Sequence, residues 1–132
     1  MAVDPATLSA TFPHGRLIHY WTKDSLFKNK IASFILLDSG NIPVDRTTKN
    51  NQQLFRGTFD VLKLGEVVAV FPEGTSYTEP RIMQVKDGVA WTALEYDKFL
   101  RDAGEQGQGV VVVPCGISYT AKDKYRSSVV VE

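Results

Sequence analysis

The sequence predicts an α/β fold, a mostly parallel sheet with helices on both faces. Short apolar runs at 67–71, 110–115 and 129–131 have the character of strands buried on both faces. Helix-length stretches separate the strand candidates, giving the order β-α-β-α-β-α-β. That alternation favours right-handed crossovers, parallel pairing and helices covering the sheet. The 132 residues, 43% of them hydrophobic, suffice for one core, so residues 1–132 are expected to form a single domain.

Charge and cysteine content narrow the function classes. Lysine plus arginine number 15 and aspartate plus glutamate number 15, so no net charge draws the chain to nucleic acid. An anionic ligand would have to be held by a local cluster. Cys115 is the single cysteine, which excludes an internal disulfide and fits a reducing, cytosol-facing environment. No apolar run is long enough to span a bilayer, and the N-terminus lacks a basic-then-apolar signal pattern. Lying on a membrane surface stays compatible with both facts.

In chain order, Pro5 opens a short helix through Ala10, and residues 12–15 read as a turn. Residues 16–21 form a strand by aromatic and apolar content. Asp24 or Ser25 caps a helix over about 26–37, whose last turn is apolar nearly all round. Such a helix is normally core. With Lys23, Lys28 and Lys30 at its start, it also suits a membrane interface. Ser39-Gly40 ends it, and residues 41–46 follow as a short strand. Asn50 or Asn51 caps a third helix through about Leu64, with Leu54, Phe55, Thr58, Val61 and Leu62 on one face. Gly65 stops it. The strand 67–71 and a turn lead to a helix over about 89–101, expected to bury Val89, Ala90, Ala93, Leu94 and Leu100. Strands at 110–115 and 129–131 complete the chain.

Ligands of open α/β sheets bind beyond the carboxyl ends of the strands, where Arg46, Glu73 and Pro114 would fall. Pro72 ends the ladder, Gly74 lets the backbone come close to a ligand, and Thr75 and Ser76 supply hydroxyls. Arg46, Lys49, Arg81 and Lys86 in neighbouring loops suit a phosphate monoester, through arginine forks and lysine point charges. A solvated loop surface explains the same residues without chemistry. Ser76 lacks a Gly-x-Ser-x-Gly elbow, Cys115 reads as a buried inert thiol, and no metal-ligand spacing or nucleotide-binding loop occurs. His19 and Asp24 spell a His-x4-Asp string. A strand histidine with Asp24 beyond the strand end is the expected arrangement, and a relocated dyad is the minor alternative.

The motifs resemble those of the glycerol-3-phosphate and 1-acylglycerol-3-phosphate acyltransferases. Gly40-Asn41-Ile42-Pro43-Val44-Asp45-Arg46 is similar to their second block, and Phe71-Pro72-Glu73-Gly74-Thr75-Ser76 to their third. Val112-Val113-Pro114 resembles the fourth, and Lys86 with Gly88 matches a Lys-x-Gly that follows the third. The wording between blocks is similar to the eukaryotic, fungal branch. The resemblance implies acyl transfer from acyl-CoA, as co-substrate, to a glycerol phosphate acceptor, with no cofactor or metal. It implies acceptor binding by Gly40, Asn41, Arg46, Glu73, Gly74, Thr75, Lys86 and Pro114. It also implies membrane association on the cytosolic face, at the endoplasmic reticulum in a eukaryote. In the family an Asn-His-x4-Asp block supplies the base and its orienting carboxylate. Asp4 matches that carboxylate, and its histidine would fall just upstream of Met1. The chain is therefore expected to be a domain truncated at both ends, keeping the acceptor site without the base. A non-catalytic lipid- or phosphate-binding module on the same fold is the alternative.

Overall fold

The computed structural model describes residues 3–44, 52–74, 81, 84–105, 109–121, 124 and 126–132, which divide into two compact units. The larger unit spans 17–110, and the smaller combines 1–16 with 111–132.

In the larger unit, β1 (Ile18–Lys23), β2 (Ile42–Val44) and β3 (Val67–Ala69) form a parallel sheet in the order β2-β1-β3. Trp21 pairs with Ile42 and Lys23 with Val44 on one side, and Ile18 with Val67 and Tyr20 with Ala69 on the other. Flanked on both sides, β1 buries Ile18, His19 and Tyr20 in succession, as a central strand does. The parallel sheet of the expected α/β fold is present.

The segment after β1 differs from expectation. Asp24–Lys28 is a short 3-10 helix, and Asn29 caps a separate α-helix, α2 (Lys30–Asp38), by accepting from the Ile31 and Ala32 amides. No residue of α2 is buried; Ile31 is 74% and Phe34 72% exposed, with Ile35 and Leu37 also exposed. The core reading of this helix is corrected. An apolar surface implies burial only where another element lies against it, and within the larger unit the 3-10 helix is its main neighbour.

Helix α3 (Gln52–Lys63) packs on β2 and β3 and buries Thr58, which is 1% exposed. Its proposed caps, Asn50 and Asn51, lie outside the described residues. Helix α4 (Gly88–Asp102) joins α3 through an aromatic cluster, with Phe59 5.2 Å from Tyr96 and 5.3 Å from Phe99 between ring centroids. Its buried line is Thr92, Tyr96 and Leu100, at i, i+4 and i+8. Leu94, expected inside, is exposed, because it projects from the opposite side of that line.

In the smaller unit, α1 (Val3–Thr11) packs against β5 (Val129–Val131), which pairs antiparallel with β4 (Ile117–Tyr119). The expected strand at 110–115 is not formed. Val111, Val112 and Val113 are exposed, and Pro114 has no N–H to give a ladder. The strand lies a few residues later, where Ile117 meets Val131.

Candidate functional site

Parallel strands put their carboxyl ends at one edge of the sheet, and the turn after β3 lies there. The Gly74 amide donates to the Phe71 carbonyl at 3.2 Å, closing a tight turn around Pro72 and Glu73. Phe71 anchors it, stacking on Tyr20 of β1 at 6.2 Å between centroids. The chain then returns, and the Lys86 amide donates to the Pro72 carbonyl at 3.0 Å. Gly74 has φ +72°, the left-handed region, and a Cβ built there would lie 2.8 Å from Lys86 Nζ. The Lys86 side chain thus lies across the turn that carries Glu73.

Trp21, near the end of β1, braces the approach to this corner. Its indole N–H donates to Thr58 Oγ1 at 3.1 Å, and its ring packs on the start of α4 at Gly88, two residues after Lys86. An indole N–H drawn away from water needs such a partner.

Gly40 and Asn41 lie just before β2, which begins with Ile42 opposite Trp21, one residue beyond the Tyr20–Ala69 pair that ends β3. Gly40, at φ +72°, ends α2 with its amide on the Leu37 carbonyl, and the Asn41 amide reaches the Leu36 carbonyl. Asn41 Nδ2 also donates to Leu36, while Asn41 Oδ1 accepts from the Thr22 hydroxyl at 3.0 Å. Beside them, His19 donates from Nδ1 to the Gly40 carbonyl at 2.6 Å, and its Nε2 faces Glu66 Oε2. A Cβ on Gly40 would sit 2.6 Å from His19 Nδ1.

His19 is therefore a buried strand histidine joining three segments of the larger unit. Its carboxylate partner is Glu66, and Asp24 begins the 3-10 helix five residues on, a strand length of roughly 16 Å. The minor reading of a His19–Asp24 dyad is corrected on that ground.

In the smaller unit, Asp4 Oδ1 accepts a hydrogen bond from the Tyr119 hydroxyl at 2.5 Å. That bond, then burial, raises the tyrosine above its ordinary pKa, against a smaller lowering by the Thr7 hydroxyl. Pro114 and Cys115 are exposed in the same unit, so Cys115 is not the buried thiol expected. Arg46, Lys49, Thr75 and Ser76 lie outside the described residues, and Arg81 is exposed.

The structure thus brings together Glu73, Gly74 and Lys86, while Gly40 and Asn41 precede β2, on the other side of β1. Glu66 and Tyr119 carry no local motif; each is defined by a partner distant in sequence. Among the described residues, no three His, Cys, Asp or Glu side chains are grouped to hold a metal ion. No helix among them is long and apolar enough to cross a membrane.

The parallel sheet and its flanking helices define an α/β domain, and comparison gives the family. Residues 1–118 match the family model described as Acyltransferase, and the chain belongs to that family. It is 37% identical over 83 residues to glycerol-3-phosphate O-acyltransferase 2 of Saccharomyces cerevisiae, covering 63% of this chain and 10% of that protein. It is also 37% identical over 62 residues to 1-acyl-sn-glycerol-3-phosphate acyltransferase of Bacillus subtilis, covering 47% of this chain and 31% of that enzyme. An uncharacterized acyltransferase of Schizosaccharomyces pombe is 38% identical over 68 residues, covering 52% of this chain and 9% of that protein. The chain therefore spans a small part of the length of these curated relatives. No solved structure matches it.

Proposed function

We propose that this chain is the acceptor-binding part of an acyl-CoA-dependent O-acyltransferase acting on glycerol-3-phosphate or its 1-acyl derivative. The observation that carries the reading is the Lys86 ammonium lying over the Gly74 turn beside Glu73, at the carboxyl edge of the parallel sheet. A cation there suits a phosphate monoester, and a carboxylate suits glycerol hydroxyls. Arg46 and Thr75 are assigned to the same acceptor by the second and third motif blocks. The names of the relatives support both acceptors and do not separate them.

In the reaction proposed, a base removes the proton of a glycerol hydroxyl and the oxygen attacks the thioester carbonyl. The carbon–sulfur bond then breaks and CoA leaves as the thiol. By the first motif block, Asp4 is the carboxylate that orients that base. A thioester is reactive enough that oxyanion donors suffice without a metal.

We also infer contact with a lipid surface through α2. Its exposed Ile31, Phe34, Ile35 and Leu37, with Lys23, Lys28 and Lys30 close by in sequence, give apolar groups for the acyl boundary and cations for headgroups.

The test is acyl transfer by the full-length product of the gene, offered both acceptors side by side. Glu73→Gln is expected to abolish transfer to the preferred one. Unchanged turnover would overturn the assignment of Glu73, and acceptor binding without any turnover would favour a non-catalytic lipid- or phosphate-binding module.

A further inference from the structure

We propose, on the reading of Glu73 and Lys86 as the acceptor corner, that Trp21 is a positioning residue that sets where the Lys86 ammonium stands. Neither Trp21 nor Thr58, its hydrogen-bond partner, belongs to a motif block.

A lysine ammonium ends a stem of several rotatable bonds, so its place over the Gly74 turn depends on where the Lys86 backbone is held. That backbone is held on both sides. Its own amide donates to the Pro72 carbonyl at 3.0 Å, and Gly88, two residues on, opens α4. The start of α4 moves as one piece. The Trp91 amide bonds the Asp87 carbonyl at 3.0 Å, and the Thr92 hydroxyl bonds the Gly88 carbonyl at 2.8 Å. Whatever fixes Gly88 therefore fixes Lys86.

Trp21 is the side chain that does so. Its indole N–H donates to Thr58 Oγ1 on α3 at 3.1 Å. The far side of the same ring lies against Gly88, where an added Cβ would stand 3.5 Å from Cζ3 and 4.0 Å from Cη2. The torsion that turns an indole about its stem is broad, and the bond to Thr58 selects one orientation. Thr58 is a firm anchor, 1% exposed on a helix packed over β2 and β3. One rigid ring thus carries the position of α3 to the start of α4. The neighbouring residue holds the other limb of the corner. Tyr20 projects to the opposite face of β1 and stacks on Phe71, two residues before Glu73. Consecutive residues of one central strand therefore set the spacing between Glu73 and Lys86.

The experiment is a double-mutant cycle between Trp21→Phe and Lys86→Met in the full-length protein, read as the acceptor KM, the acyl-CoA KM and kcat. A phenyl ring is too short to reach Gly88 and has no N–H, so Trp21→Phe removes both contacts. It is expected to raise the acceptor KM roughly threefold to tenfold, the range of one lost hydrogen bond, with the acyl-CoA KM unchanged. With Lys86→Met already present, Trp21→Phe is expected to add less than about twofold, because its effect passes through the ammonium. An equal rise in both backgrounds, or in both KM values, would reduce Trp21 to general support of the fold and overturn the proposal. So would an unchanged acceptor KM in Trp21→Phe where Lys86→Met raises it, with the acceptor corner left standing. No effect of Lys86→Met on the acceptor KM would remove the corner, and this role with it. Should Trp21→Phe fail to fold, Thr58→Val takes away only the hydroxyl group. It is expected to raise the acceptor KM about threefold, while Thr58→Ser keeps the parent value. A parent-like acceptor KM in folded Thr58→Val would contradict the proposal.

Discussion

Lys86 lies so close over Gly74 that a single methyl group on the glycine would meet its ammonium at 2.8 Å. This contact joins a cation to the Glu73 turn, and it depends on a backbone conformation that other residues adopt at a cost. Gly74→Ala is therefore expected to destabilise the protein by about 1–2 kcal/mol. It should also displace Lys86 and raise the acceptor KM while sparing that of acyl-CoA. Thermal denaturation alongside steady-state kinetics checks both parts.

The contacts of His19 are expected to answer in stability alone. His19, 7% exposed, bonds Gly40 and Glu66 at once. His19→Ala leaves both partners unsatisfied and should cost about 1–3 kcal/mol. Residual activity, corrected for the folded fraction, should match the parent. A loss of turnover in fully folded protein would instead give His19 a part in the chemistry.

Thr58→Val tests the brace behind the site. The half-buried Trp21 indole would lose its acceptor at nearly constant side-chain volume, costing about 1 kcal/mol. The start of α4, against which Trp21 packs, should show faster amide exchange.

Much of the larger unit is legible in the sequence because its signals are local. The strand around Tyr20, the Gly40 stop, the amphipathic face of α3 and the strand at Val67 each follow from residues a few positions apart. The failures have a common physical origin. Val111 to Val113 have strand propensity, but pairing is decided by a partner, and β5 takes Ile117–Tyr119 instead. Helix α2 looks like core because hydrophobicity reports what would be stable if covered, not what covers it. The contacts of His19 with Glu66, and of Asp4 with Tyr119, span 47 and 115 residues and leave no periodic trace.

Exposure of α2 carries its own consequence. The double variant Ile31→Ser with Phe34→Ser should weaken binding to anionic vesicles by tenfold or more, since each inserted side chain contributes about 1.5–3 kcal/mol. Co-sedimentation of the full-length protein measures it, and binding should also fall with salt. Undiminished binding would remove α2 from the lipid contact.

The most direct test of the acceptor corner is the KM of Lys86→Met for glycerol-3-phosphate and for its 1-acyl derivative, in the full-length enzyme. Loss of a charged contact to phosphate is expected to raise the KM of the true acceptor about tenfold or more, with the acyl-CoA KM unchanged. An acceptor KM equal to that of the parent would contradict the placement of the phosphate beside Lys86.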